Sequence, residues 1–225
     1  MNETLRDVDT VILSHSHYDH AAGARPFIKQ FHPQRLIVGK GFFQPKYARE
    51  KGIFTYLGCG FDQSFVKQEN VNLVECNTTL ALTSHLSIIG GFERYPEFDE
   101  PIPERFVIEN EQGQFIKDTF KDEIALVYSH QDFLTLIVGC SHPGILSMIT
   151  YTEAVFHKKV TRIFGGIHLN KAKKRRLEDT KAAFIKLGIE EVGLCHCSGE
   201  KINILLQKDN IIESRNVGCG DGFLL

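Results

Sequence analysis

Residues 13–23 read LSHSHYDHAAG and place three histidines and one aspartate within six residues. The apolar run at residues 8–13 predicts a strand before them, and residues 21–31 predict a helix after them. The polar residues therefore occupy the loop at the carboxyl end of a strand, where open α/β folds place their ligands. The ordinary alternative is a solvated polar turn, and four ligand-type side chains at this spacing argue against it.

This spacing suits metal ions. His15 and His17 are two residues apart, so in an extended segment their side chains project to the same side and can hold one ion. Asp19 and His20 follow where the chain turns, and can hold a second ion. Imidazole nitrogen and carboxylate oxygen are ligands of catalytic zinc sites, which keep one position open for water. The pattern predicts two divalent ions, with zinc expected and manganese or iron as alternatives.

Further histidines stand just beyond later predicted strands. Any one of them alone is more often structural than a ligand, but together they lie at the strand edge that also carries His15. They are His142 after residues 133–138, His168 after residues 161–164, and His196 after residues 191–194.

Bulk composition limits the class of protein. With 225 residues, 42% hydrophobic and 24% charged, the chain fits one globular domain over residues 1–225, with two halves as a variant. A formal charge of -2 provides no broad attraction to nucleic acid or to an anionic membrane. No apolar run approaches the roughly 20 residues of a membrane span, and no signal peptide is visible at the start. We expect a cytoplasmic protein without nucleic-acid or membrane partners.

The six cysteines lack the spacing of a disulfide framework, which indicates free thiols in a reducing compartment. Cys195 and Cys197 are close enough to suggest a thiolate metal site. No second CxC or CxxC pair completes four ligands, which argues against a structural zinc held by cysteine alone.

Short β-type runs alternate with helical stretches along the chain. Two stretches rich in glycine or proline, residues 39–60 and 90–103, predict irregular loops that lie on the surface or wall a site. A hairpin turn is expected at Gln131 and Asp132. The other predicted strands are residues 35–38, 72–75, 80–83, 87–89, 105–109 and 123–128, with one or two more near residues 211 and 223. The other predicted helices are residues 144–157, 171–187 and 199–207.

The sequence His15-x-His17-x-Asp19-His20 after an apolar strand resembles the HxHxDH signature of the metallo-β-lactamase fold superfamily. That resemblance implies an α/β fold, an αββα sandwich with helices outside two sheets. The related flavo-diiron oxidases usually carry glutamate at the second ligand position. His17 therefore favours the hydrolase-like branch over iron redox chemistry.

The stretches GCSHPGI, GGIHL and CHCSG narrow the resemblance to the dihydropterin aminobenzene-phosphate synthase-like branch, over nearly the whole chain. The resemblance implies that His142 and His196 complete the metal site, while His168 is a ligand or a substrate contact. We then expect His15, His17 and His142 around one ion, and Asp19, His20 and His196 around the other.

The sequence departs from the superfamily pattern at the bridging ligand. Most members have a Gly-Asp pair there, whereas this chain has Gly139 and Cys140. Cys140 could bridge two metals as a thiolate or lie behind them as a small interior residue. The second role is favoured, because a cysteine that binds no metal is usually buried and inert.

The second departure is at the N-terminus. Members of this fold usually begin with several strands before the HxHxDH loop, but only 14 residues precede His15 here. A late start, a sheet that has lost strands, or strands supplied by another chain or by oligomerisation would each explain this. We expect the first sheet to be short, with an exposed edge.

Two metal ions would activate a water molecule, which predicts that the protein hydrolyses an ester-like bond. Asp19 could relay the proton in this reaction. The branch resemblance implies a transferase variant in which a pyrophosphate group leaves. Either substrate is small and anionic, and Lys171 and Arg175 in the stretch NKAKKRR are candidates to bind it near a helix start. A solvated helix face is the ordinary role of such a run. The alternative function is a non-catalytic metal-binding or regulatory module, or a truncated remnant of the enzyme.

Overall fold

The computed structural model of the protein describes residues 7–218 and 220–222. The chain divides into two units, each formed by two segments of the sequence. The first contains Met1–Asn77 and Ile102–Ile124, and the second contains Thr78–Pro101 and Ala125–Leu225.

The first unit has a parallel sheet of three strands in the order β1-β2-β5. Its central strand is buried at four of five positions, which matches the apolar run Leu-Ile-Val in a strand covered on both faces. Among the described residues β1 is an edge strand, in keeping with the expected short first sheet. The elements are β1 (Thr10–Ile12), α1 (Tyr18–Ala21), α2 (Ala24–Phe31), β2 (Arg35–Gly39), α3 (Gln63–Gln68) and β5 (Asn72–Cys76).

A second, antiparallel sheet of the first unit has the order β4-β3-β8-β9. It consists of β3 (Lys46–Glu50), β4 (Ile53–Tyr56), β8 (Phe106–Glu109) and β9 (Phe115–Lys117). The prediction that residues 39–60 are irregular is wrong, because β3 and β4 form a hairpin there. Lys51 and Gly52, with φ of 49° and 83°, form its two-residue turn, and a turn with two positive φ angles matches the twist of the strands.

The second unit is built on a sheet of seven strands in the order β14-β13-β12-β11-β10-β7-β6. Strands β11 to β14 are parallel neighbours, whereas β6, β7, β10 and β11 pair antiparallel. The predicted hairpin at residues 131–132 is confirmed between β10 and β11. The strands are β6 (Thr79–Ala81), β7 (Leu86–Ile89), β10 (Ala125–Ser129), β11 (Phe133–Val138), β12 (Lys159–Gly165), β13 (Glu191–Leu194) and β14 (Glu213–Asn216).

The helices of this unit are α4 (Ile145–Phe156), α5 (Lys174–Leu187) and α6 (Glu200–Gln207), preceded by a 3-10 turn at His196–Ser198. They pack apolar side chains such as Phe184 of α5 against the sheet, whose Leu136, Ile163 and Val192 are fully buried. In the part of the chain that the structure describes, no helix is long and apolar enough to cross a membrane.

The predicted alternation of strands and helices is confirmed, and several boundaries are corrected. The predicted helix at residues 21–31 is two helices, α1 and α2, with Gly23 between them. The helix predicted from residue 171 begins at Lys174. Helix α3 and strand β9 were not predicted. The strand expected near residue 211 is β14, and the one near residue 223 lies outside the described residues.

The loop at residues 90–103 has no helix or strand, as predicted, and residues 90–101 of it are anchored within the second unit. Asp99 is buried and accepts hydrogen bonds from the backbone N–H and the hydroxyl of Ser147, both at 2.8 Å. Arg176 in α5 donates to the other carboxylate oxygen of Asp99 at 2.7 Å and to the carbonyl of Phe98 at 2.9 Å. This buried ion pair fixes the loop against α4 and α5.

We expect Arg176→Met to lower the free energy of unfolding by about 3–5 kcal/mol, because Asp99 would remain buried without its cationic partner. The matched control is Arg175→Met, next along the helix, where the side chain is 93% exposed and its pairing with Asp179 spans 3.7 Å. That change should alter stability by less than about 1 kcal/mol. Urea unfolding of both variants measures the difference, and equal effects would contradict a structural role for the buried pair.

Candidate metal centre

The histidine-rich loop of the first unit is held at the end of β1. The N–H of Leu13 still donates to the carbonyl of Ile37 in β2 at 3.0 Å, and the N–H of Ile124 donates to the carbonyl of Ser14 at 2.8 Å. His15 is fully buried and His17 is 8% exposed. The chain then turns into α1, whose first turn carries Asp19 and whose last turn carries His20.

The imidazole rings of this loop are close to one another. The ring centroids of His15 and His17 are 4.9 Å apart, and those of His15 and His20 are 4.2 Å apart. The hydroxyl oxygen of Ser14 lies 3.1 Å from Nδ1 of His15 and 3.4 Å from Nδ1 of His20. Metal-binding histidines commonly engage one ring nitrogen in a hydrogen bond and bind the metal with the other. On that basis we expect Nε2 of His15 and His20 to be the ligand atoms.

His17 lies among aromatic rings, with its centroid 5.4 Å from that of Phe120 and 5.8 Å from that of Phe106. Burial, and next the positive charge of Lys46, lower the pKa of His17 to about 4. The imidazole is therefore neutral at physiological pH, which is the state that binds a metal ion.

A buried ionic cluster stands behind the loop. Nζ of Lys46 lies 2.6 Å from Oδ2 of Asp118 and 2.8 Å from Oδ1 of Asp122, and all three side chains are less than 5% exposed. Burial alone would lower the pKa of Lys46, but the carboxylates of Asp122 and Asp118 raise it, so the amine stays charged. Oδ2 of Asp122 also accepts a hydrogen bond of 3.0 Å from the N–H of Ser16. The cluster thus fixes the backbone between His15 and His17.

Gly39 explains how Asp122 comes so close to the end of β2. A Cβ atom at Gly39 would lie 2.1 Å from the carbonyl oxygen of Asp122, a distance that no side chain can occupy. Glycine is therefore required at this contact. Sequence reasoning did not find Lys46, Asp118 or Asp122, because nothing in their spacing signals an ion pair across 72 residues.

In the second unit, candidate ligands follow three adjacent parallel strands. Cys140 and His142 come after β11, His168 after β12, and His196 and Cys197 after β13. The ring centroids of His142 and His168 are 4.4 Å apart. His168 and His196 both have left-handed backbone conformations, with φ of 52° and 50°. Such φ values are uncommon for residues other than glycine, and they occur often at functional sites.

Cys140, His168 and Cys197 form a separate cluster in this unit, with one ligand atom from each lying within 4.8 Å of the others. The N–H of His168 donates to Sγ of Cys197 at 3.3 Å. A side-chain hydrogen bond with Cys140 is the main cause that lowers the pKa of Cys197 to about 5; burial opposes it and His168 adds to it. This lowered pKa favours the thiolate form of Cys197 near neutral pH. The expected partner of Cys197, Cys195, is not in the cluster.

The two basic residues proposed to bind an anion are both exposed. Lys171 precedes the first residue of α5, and Arg175 lies in its first turn with Asp179 at 3.7 Å. Arg176, by contrast, forms a buried ion pair with Asp99. The anion-binding role of Lys171 and Arg175 stays a prediction.

The structure thus brings together the rings of His15, His17 and His20 in one unit, and Nε2 of His20 lies 3.9 Å from Oδ2 of Asp19. In the other unit it brings together His142 and His168, and separately His168 with the two cysteines. That ligands of the two units share a metal centre stays a prediction, as does the role of Cys140, which is buried.

The model of the metallo-beta-lactamase superfamily matches residues 2–152. The crystal structure of Tm1679, a metal-dependent hydrolase of the beta-lactamase superfamily, superposes with a TM-score of 0.79 and 27% identity, over 96% of this chain and 78% of that one. The chain belongs to the metallo-beta-lactamase superfamily and has its α/β fold.

Two proteins of Methanocaldococcus jannaschii are also similar. One is 7,8-dihydropterin-6-methyl-4-(beta-D-ribofuranosyl)-aminobenzene-5'-phosphate synthase, 26% identical over 93% of this chain and 72% of the synthase. The other is the uncharacterized protein MJ0448, 26% identical over 72% of this chain and 58% of its own length. The resemblance to the dihydropterin synthase-like branch is confirmed by the first. The fold implies binding of divalent metal, and the clusters described above offer His, Cys and Asp ligands for it.

We expect Lys46→Met to lower the free energy of unfolding at neutral pH by about 3–5 kcal/mol, because two buried carboxylates would lose their shared cation. The deficit should shrink toward acid pH, because burial raises the pKa of Asp118 and its carboxyl becomes neutral there. Urea unfolding across a pH series measures this effect.

The control for this prediction is Lys117→Met in β9, whose pairing with Glu104 is partly exposed. It should change stability by less than about 1 kcal/mol at any pH. A Lys46 variant as stable as this control would show that the ionic cluster does not support the loop.

Proposed function

We propose that the protein is a metal-dependent hydrolase or transferase that acts on a small anionic substrate, phosphorylated or pterin-like. The observation that carries this proposal is the packing of three imidazoles, those of His15, His17 and His20, in the loop after β1. The rings of His15 and His17 are buried and that of His20 is half-buried. A divalent metal ion is a ligand that suits clustered neutral imidazoles.

The proposed centre has two sets of ligands, one for each ion. His15, His17 and His142 would hold one divalent ion, and Asp19, His20 and His196 would hold the second. Five imidazoles and one carboxylate fit zinc, with manganese or iron as the alternatives. Superfamily membership and the HxHxDH loop support these sets. Bound there, two ions would supply Lewis acidity and a water of lowered pKa.

Asp19 is the residue of the loop that we assign to proton transfer. Its side chain is 39% exposed, in contrast to the buried rings of His15 and His17. A carboxylate at the solvent side of the loop can take a proton from the attacking water and pass it to the leaving oxygen. In hydrolysis the water oxygen bonds to phosphorus or carbonyl carbon, the ester bond breaks, and the alcohol leaves with that proton.

Similarity to the dihydropterin synthase of M. jannaschii favours a second reaction at the same site. In this transferase reaction, an aromatic carbon or nitrogen of one substrate forms a bond to the carbon of the other substrate that carries the pyrophosphate. The carbon–oxygen bond breaks, pyrophosphate leaves with its electron pair, and the ring atom gives up a proton. Lys171 and Arg175 are proposed to hold the anionic group in either reaction.

The test is turnover of a phosphodiester and of a pterin pyrophosphate with an aminobenzene-type acceptor, by metal-loaded protein. We expect one of them to be turned over, and Asp19→Asn to lower kcat/KM by about 10²- to 10⁴-fold, because the variant lacks the proton relay and a ligand charge. Metal content is measured in parallel by elemental analysis.

The matched control is Asp132→Asn, an exposed aspartate in the turn between β10 and β11, which should leave kcat/KM unchanged. Bound metal without turnover of either substrate would support the alternative, a non-catalytic metal-binding module. Equal rates for wild type and Asp19→Asn would remove Asp19 from the mechanism.

A further inference from the structure

We propose that Cys140, His168 and Cys197 form an additional metal site, distinct from the histidine and aspartate sets, that binds one thiophilic divalent ion such as zinc. All three residues belong to the second unit, so the inference does not depend on the proposed function. The proposed site would use sulfur donors, whereas the HxHxDH loop offers only nitrogen and oxygen donors.

The donor atoms are already near the spacing that a metal requires. Two thiolates bound about 2.3 Å from a tetrahedral zinc lie about 3.8 Å apart, and a thiolate and an imidazole nitrogen slightly less. The three donors of this cluster lie within 4.8 Å of one another, so shifts of about 1 Å or less would close the site. Two sulfurs and one nitrogen without a carboxylate select zinc and similar soft ions over magnesium or calcium.

One donor is poised for a ligand. Nδ1 of His168 is buried and makes no hydrogen bond at ordinary distance within the described residues. A buried polar atom of this kind destabilises the fold unless a ligand satisfies it. The backbone of His168 is left-handed, with φ of 52°, and turns the chain sharply after β12. The same residue uses its N–H to bond Sγ of Cys197 at 3.3 Å, which ties two donors together.

The backbone of the cluster leaves room for sulfur. A Cβ atom at Gly166 would lie 2.6 Å from Sγ of Cys197 and 2.5 Å from the carbonyl oxygen of Gly139. The absence of a side chain at residue 166 therefore lets Cys197, from the loop after β13, reach the loop that carries Cys140 after β11. Three neighbouring strand ends meet at this point, and three protein ligands leave one coordination position open.

The experiment titrates metal-free protein with Co²⁺ and follows the near-ultraviolet charge-transfer band that only thiolate–cobalt bonds give. We expect wild type to show the band and Cys197→Ser to lose it together with one equivalent of bound cobalt. Cys140→Ser should behave in the same way. The matched control is Cys195→Ser, two residues from Cys197 and outside the cluster, which should keep both the band and the metal.

Several outcomes would overturn the proposal. The band could persist in Cys197→Ser, or vanish in Cys195→Ser as well. If Cys140→Ser alone abolished the band, Cys140 would be a bridging ligand of the two-ion centre instead. X-ray absorption of zinc-loaded wild type, which needs no variant, should show sulfur at about 2.3 Å, and its absence would also refute the site. Loss of turnover in Asp19→Asn with the band retained would show that the two sites are separate.

Discussion

The histidine loop depends on one interaction, the ion pairing of the Lys46 ammonium group with two buried carboxylates. The loop has little regular structure of its own, since it contains only the four-residue helix α1, and its His15 and His17 side chains are buried. Asp122 connects the two by accepting the N–H of Ser16 while it pairs with Lys46. Burying three charges is expensive, and their mutual hydrogen bonds offset much of that cost. The result is a buried ionic support that is hydrogen-bonded to the backbone between His15 and His17.

In the second unit the ordering principle is the parallel arrangement of β11, β12 and β13. Parallel neighbours present their carboxyl ends at one edge, so residues far apart in the sequence become neighbours in space. Cys140 and Cys197 are separated by 57 residues yet belong to one cluster. The glycines at the end of β12 allow this, because a Cβ at Gly165 would lie 2.0 Å from the carbonyl oxygen of Val138. The close contact between the ends of these strands therefore requires glycine, which has no side chain, at this position.

Much of the fold and of the candidate metal centre could be predicted from local sequence. The remaining features depend on contacts between segments that are distant in the sequence. The HxHxDH loop, the strands from β10 to β13 and the histidines after them follow from apolar runs and residue spacing. Lys46 was not predicted, because it lies in β3, a charged strand of the sequence KYARE inside a glycine-rich stretch that predicted a loop. The sequence pairs Cys197 only with Cys195, because spacing along the chain does not reveal that the loops after β11 and β13 are neighbours. Asp99 was missed for the same reason.

The left-handed residues after the strands also limit which substitutions these positions accept. Ser141, His168 and His196 follow three different strands, and each has φ between 50° and 59°. Histidine, asparagine and aspartate tolerate this conformation better than most residues, whereas valine, isoleucine and threonine are strongly disfavoured there. Exchange among nitrogen and oxygen donors can therefore occur at residues 168 and 196 without rebuilding the main chain. Backbone geometry alone therefore keeps branched apolar side chains out of these positions and favours polar ones.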